Sequence, residues 1–101
     1  MRIKDLFARK RPTLSFEVFP PKTDVPVDTL YETLERLSGL APDYISVTYG
    51  AGRSNSARMI EIAGAVENRF KQCALAHFTC VGATRDSVNA QLKAIKNAGI
   101  E

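Results

Sequence analysis

The sequence has 101 residues, of which 45% are hydrophobic and 25% are charged, with 14 Lys and Arg against 11 Asp and Glu. This composition is that of one globular domain; the chain is too apolar for a disordered protein, and no apolar run approaches the ~20 residues of a membrane span. The first eleven residues also lack the apolar core of a secretory signal, so we expect a cytoplasmic protein without a membrane partner.

Positive charge is concentrated in residues 1–11, where five basic residues and one acidic residue carry a net charge of +4. A nucleic-acid interface would need basic residues spread over the folded domain, together with stacking aromatics or a recognition motif. The sequence shows neither, so we expect no nucleic-acid partner. Ile3, Leu6 and Phe7 lie among these charges and predict a short basic helix that caps the domain.

Three apolar runs predict β-strands, at residues 14–19, 43–49 and 73–81. Pro20 and Pro21 end the first run because proline cannot donate a ladder hydrogen bond. Each run is followed by a helical pattern, which covers residues 27–39, then a stretch beginning at Ser54 or Ser56, then a stretch from Thr84 or Asp86 to about residue 99. The predicted order is therefore β-α-β-α-β-α.

The strand starts recur about every 30 residues, which is the length of a βαβ unit and predicts a parallel sheet. Two architectures use such units, the doubly wound open sheet and the (β/α)8 barrel. A barrel needs about 250 residues, so residues 1–101 would form a single partial domain with three of its eight units. We therefore expect either a piece of a longer protein or a sheet edge that another chain covers.

Glu17 is a carboxylate inside the first apolar strand, where burial without a partner would be costly. Near the carboxyl end of a barrel strand, it would point into the catalytic mouth, and partial burial would suit it to act as a general acid. The alternative is a structural glutamate paired with a neighbouring lysine or arginine. Position alone leaves both interpretations open.

The second and third strands end in further candidate residues. Residues 46–52 finish in small residues that let a ligand approach the backbone, although spacing alone favours an ordinary strand-to-helix turn. His77 is the single histidine and could face the same mouth as Glu17 and Thr48, or it could be a core residue. Neither His77 nor the two cysteines has metal-ligand spacing, so we expect no metal site.

Three segments together resemble the first three strand ends of the methylenetetrahydrofolate reductase family. They are Ser-Phe-Glu-Val-Phe-Pro-Pro-Lys at residues 15–22, Val-Thr-Tyr-Gly-Ala-Gly at 47–52 and Ala-His-Phe-Thr-Cys at 76–80. The resemblance covers residues 3 to 101 and implies the (β/α)8 alternative. It also implies a flavoenzyme that takes a hydride from NADH or NADPH onto FAD and passes it to 5,10-methylenetetrahydrofolate, giving 5-methyltetrahydrofolate.

The resemblance also implies roles for individual residues. Glu17 matches the family's proposed acid, which protonates N10 of the folate and opens the five-membered ring to an iminium. Thr48 matches a threonine near the nicotinamide and the flavin ring. Tyr49 and Ala51 match flavin-contacting positions, and His77 matches a histidine on the flavin.

The family draws the rest of its flavin and folate sites from later strands. The resemblance therefore implies a chain that needs the remainder of the barrel or associates as a homo-oligomer. The alternative that stays open is a non-catalytic partial barrel, which would self-associate through its open sheet edge or complement a partner.

Overall fold

The computed structural model describes residues 2–22, 24–49 and 56–101 and has the predicted alternation of strands and helices. A short helix precedes the first strand. The elements are α1 (Ile3–Phe7), β1 (Ser15–Val18), α2 (Asp28–Ser38), β2 (Tyr44–Val47), α3 (Ser56–Asn68), β3 (Ala74–Ala76) and α4 (Arg85–Asn97). Ser54, one of the two expected helix starts, lies outside the described residues, and α3 begins at the other, Ser56.

The three strands form one parallel sheet in the order β1-β2-β3, as the βαβ period predicts. Glu17 pairs with Ser46, and Ser46 pairs with Leu75. All three strands are shorter than the apolar runs that predict them. The difference is largest for β3, where the expected strand at residues 73–81 is wrong beyond Ala76. The backbone amide of His77 still donates to the carbonyl of Val47 at 2.9 Å, but β2 ends there and the ladder stops.

The hydrophobic core lies on one face of this sheet because alternate strand residues point to the same side. Val18, Ile45, Val47 and Ala74 form that face and are at most 5% exposed. They pack against Leu34 of α2 and against four buried residues of α3, which are Met59, Ile62, Ala63 and Val66. The opposite face carries the polar side chains of β1 and β2, so the same strands separate the core from the candidate site.

The amino end of the sheet is fastened by the segment that precedes β1. The ring of Phe7 in α1 meets the ring of Tyr44 edge-on, with 6.2 Å between the ring centroids. The Asp43 carboxylate accepts a hydrogen bond of 2.5 Å from Arg11 and one of 2.9 Å from the backbone amide of Leu14. The hydrogen bond from Arg11, followed by that from Leu14, holds the pKa of Asp43 below its ordinary value. These contacts join residues 7–14 to the start of β2.

The last helix has clear boundaries at both ends. Thr84, an expected starting residue, is the N-cap of α4; its hydroxyl accepts from the amide of Ser87 at 3.1 Å, and the Ser87 hydroxyl accepts from the amide of Thr84 at 2.9 Å. Gly99 follows the helix with a φ of +86°, a conformation that favours glycine. Within the described ranges, none of the helices has the length and apolarity needed to cross a membrane.

Candidate active site

The candidate residues of the three strands lie at the carboxyl edge of the sheet. Glu17 is the third residue of β1, Thr48 and Tyr49 directly follow β2, and His77 directly follows β3. Because the strands are parallel, their carboxyl ends meet at one edge, where α/β folds place their active sites. Ala51 lies outside the described residues, so its predicted place at this edge stays a prediction.

Glu17 and His77 are brought together, and Ser46 lies with them. The hydroxyl of Ser46 donates a hydrogen bond of 2.8 Å to Oε1 of Glu17. The imidazole Nε2 of His77 lies 3.5 Å from the same oxygen. The structure therefore surrounds one oxygen of the carboxyl group with a hydroxyl and an imidazole.

The register of the sheet explains this cluster. Ser46 is the direct partner of Glu17 across β1 and β2, and neighbouring strands are only about 4.8 Å apart, so the short serine side chain reaches the carboxylate. His77 lies two residues beyond Leu75, the partner of Ser46, and therefore projects from the same face one step nearer the carboxyl edge.

Two details differ from the sequence-based expectation. The structural alternative for Glu17 is an ion pair with a lysine or arginine, whereas its partners among the described residues are Ser46 and His77. The expected partial burial is also limited, because the side chains of Glu17 and His77 are 48% and 42% exposed. Their side chains stay accessible to solvent in the described part of the chain.

Thr48 places a polar group at the edge of this cluster. Its backbone amide donates to the carbonyl of Val18 at 3.1 Å, which fixes the residue beside the end of β1. Its hydroxyl oxygen is buried and has no hydrogen-bond partner within the described part of the chain. A buried polar atom without a partner costs about 1–3 kcal/mol, so this hydroxyl is suited to bind a ligand atom. Next to it, the ring of Tyr49 meets that of Phe78 edge-on, 6.3 Å between centroids.

Arg58, which the sequence patterns do not indicate, holds the loop after β1 in place. The guanidinium of Arg58, near the start of α3, donates to the carbonyl of Lys22 at 3.3 Å and to the carbonyl of Val25. It therefore ties the loop that follows Glu17 to the helix that follows Thr48. Strand alternation places Ser46 on the same face as Glu17, but only the register of the parallel pairing makes the two residues partners. Arg58 leaves no such signal because its contacts depend on the loop conformation.

The cluster is chemically equipped for proton transfer. A carboxyl group gives or takes a proton, and the hydrogen bond from the adjacent hydroxyl orients it through one oxygen, beside the imidazole. Residues 2–22, 24–49 and 56–101 contain no group of three His, Cys, Asp or Glu side chains placed to hold a metal ion.

A family model and several relatives in other organisms point to the same family. The family model described as methylenetetrahydrofolate reductase matches residues 2–101. A probable methylenetetrahydrofolate reductase (NADH) of Oryza sativa subsp. japonica is 33% identical over 100 residues, which cover 99% of this chain and 17% of the relative. The 5,10-methylenetetrahydrofolate reductases of Salmonella typhimurium and Escherichia coli are each 38% identical over 87 residues, which cover 86% of this chain and 29% of theirs. The chain thus spans less than a third of the length of these relatives.

Proposed function

Because the chain belongs to the methylenetetrahydrofolate reductase family, we propose that it supplies the first three βα units of a (β/α)8 barrel. The whole barrel would reduce 5,10-methylenetetrahydrofolate to 5-methyltetrahydrofolate. The parallel order β1-β2-β3, with α2 and α3 packed on one face, is consistent with the start of such a barrel. The polar face with Glu17 and Ser46 would then line the interior, which the remaining strands would enclose.

Glu17 is the proposed general acid of this reaction. Its carboxyl group gives a proton to N10 of the folate while the bond between N10 and the bridging methylene carbon breaks. The electron pair of that bond stays on N10, and the methylene carbon becomes part of an iminium at N5. The observation that carries the proposal is the position of Glu17 at the carboxyl edge of the sheet. Ser46 donates to one of its oxygens, and no residue of the described ranges donates to the other, which can carry a proton.

The proposed cofactor is FAD, held in part by Thr48, Tyr49, Ala51 and His77. The buried hydroxyl of Thr48, which has no partner within the described ranges, fits a cofactor with polar ring atoms at this edge. When bound, FAD supplies hydride transfer, with NADH or NADPH as the electron donor. The rice relative is named as a probable NADH-dependent enzyme, which favours NADH as the donor of this protein.

The substitution Glu17→Gln in the full-length protein tests the role of the acid. The amide keeps the shape of the side chain but cannot give up a proton, so flavin should stay bound and be reduced by the nicotinamide at the normal rate. Reduction of the folate should fall by about 10²- to 10⁴-fold, the usual contribution of a general acid. Glu35→Gln on the exposed surface of α2 is the matched control. Folate reduction by Glu17→Gln at the wild-type rate would overturn the assignment.

A second candidate function is a non-catalytic partial barrel that associates with itself or with a partner. The exposed side chain of Phe19, 67% accessible beside the open face of the sheet, favours this candidate. An absorbance spectrum and a size-exclusion profile of the 101-residue chain test this candidate. A yellow protein with flavin bands supports a cofactor site within these residues and contradicts a non-catalytic role. Both candidates allow a colourless product, and its size then decides: an oligomer supports association through the sheet, whereas a monomer leaves the flavin site to the whole barrel.

A further inference from the structure

Ser46 is the polar residue that the described part of the chain buries most completely. It is 7% exposed in the middle of the central strand, and the other buried residues of the described ranges are apolar, glycine or proline. A hydroxyl in such a position needs a hydrogen-bond partner because burial removes it from water. The partner is Glu17, whose carboxylate accepts this hydrogen bond and so satisfies the buried hydroxyl of Ser46.

The direction of this hydrogen bond restricts the carboxyl group. Ser46 has one hydroxyl proton and donates it to Oε1 of Glu17 at 2.8 Å. Nε2 of His77 lies beside the same oxygen, at 3.5 Å, and no described residue hydrogen-bonds Oε2. An oxygen that accepts a hydrogen bond is the less favourable place for a proton, so the proton of the carboxylic acid belongs on Oε2.

The hydrogen bond also limits the motion of a flexible side chain. Glu17 has three rotatable side-chain bonds and is 48% exposed, so without a partner it would occupy several rotamers. A general acid acts efficiently only when it is held within hydrogen-bond reach of the atom that it protonates. Ser46 lies in a strand with paired neighbours on both sides, which makes it a rigid anchor.

We propose that Ser46 is a positioning residue, whose hydroxyl holds Oε1 of Glu17 so that Oε2 carries the proton given to the substrate. This inference rests on the proposed function of Glu17 as the acid. Ser46 itself touches neither the folate nor the cofactor in this role. It acts only through the carboxyl group.

The test compares three variants in the full-length, flavin-loaded protein. Ser46→Ala removes the hydroxyl, Ser46→Thr keeps a hydroxyl in a residue favoured in strands, and Ser15→Ala removes an exposed serine of β1 as the matched control. Stopped-flow absorbance follows two steps separately, the reduction of flavin by NADH and its reoxidation by 5,10-methylenetetrahydrofolate at saturating concentration.

Ser46→Ala should slow flavin reoxidation by the folate about 10- to 100-fold, with a nearly unchanged KM for the folate. Flavin reduction by NADH should stay within about twofold, because the acid takes no part in it. Ser46→Thr should recover most of the lost rate, and Ser15→Ala should behave as wild type. In a Glu17→Gln background, Ser46→Ala should have no further effect, since its only route of action has been removed.

Three results would overturn the inference. These are a normal reoxidation rate in Ser46→Ala, no recovery in Ser46→Thr, or an equal loss in both steps, which would indicate damage to the sheet. Failure of the proposed function is a different result, because it would appear as normal folate reduction by Glu17→Gln. A slow Glu17→Gln together with a fast Ser46→Ala would leave the acid in place and remove only the role of Ser46.

Discussion

Leu34 offers a quantitative test of the packing that positions the site. It is completely buried in α2 and packs against the core face of β1 and β2. Truncation of a buried leucine to alanine removes apolar contacts and leaves a cavity, which together cost about 2–5 kcal/mol. A domain of this size is stable by only about 5–15 kcal/mol. Because one face of the sheet is still exposed, we expect the free energy of unfolding of this chain to lie near the lower end of that range. Leu34→Ala should then bring the chain close to unfolding.

Urea unfolding of the 101-residue chain, followed by far-ultraviolet circular dichroism, measures this loss. With a slope of about 1.5–2 kcal/mol per molar urea, a loss of about 3 kcal/mol lowers the unfolding midpoint by about 1.5–2 M. Leu40→Ala is the matched control, because the same side chain is 62% exposed just after α2. We expect it to change stability by less than about 0.5 kcal/mol. Equal effects of the two substitutions would refute the assignment of Leu34 to the core.

Two further predictions concern ionisable groups outside the candidate site. The hydrogen bond from Arg11 lowers the pKa of Asp43 below its ordinary value of 3.8, so the carboxylate stabilises the fold above that pH and loses this effect as the pH falls through the lowered pKa. In melting curves, Asp43→Asn should therefore unfold at a lower temperature than wild type at neutral pH, and this difference should disappear in acid. The exposed control Asp24→Asn should show no such difference. A difference for Asp43→Asn that persists in acid would contradict this reasoning. Burial raises the pKa of the Cys73 thiol, whereas Cys80 is exposed, so an aromatic disulfide reagent at mildly alkaline pH should label Cys80 first. The fast phase should disappear in Cys80→Ser and remain in Cys73→Ser, and the opposite pattern would be incompatible with the structure.

The sequence predicts the order of the elements better than their lengths. Hydrophobic period and turn residues locate each strand and helix, and Thr84 marks the start of α4 correctly. Strand length is harder to predict, because a strand extends only as far as a neighbour supplies hydrogen bonds. The apolar run at residues 73–81 continues past Ala76, yet its pairing with β2 ends at Val47. Apolar character alone carries no information about that neighbour.

The sequence also predicts only part of the candidate site, because contacts between strands depend on their neighbours. Alternation along each strand places Glu17, Thr48 and His77 on one face, and the structure brings Glu17 and His77 within 3.5 Å. The partner of the carboxylate depends on the register between strands, which a single strand pattern does not reveal. Ser46 was therefore missed, although it lies directly opposite Glu17. The catalytic and cofactor roles of these residues stay predictions until the variants are measured.

The core and the candidate site depend on each other through this register. Paired residues of successive strands differ by a constant 29 positions, from Glu17 to Ser46 and from Ser46 to Leu75. A slip of one residue in β2 would turn Ser46 toward Leu34 and expose Ile45, because alternate residues face opposite sides. Burial of apolar side chains, each worth about 1.5–3 kcal/mol, therefore selects the register that also joins Ser46 to Glu17. The packing that stabilises one face of the sheet thus fixes the geometry of the acid on the other.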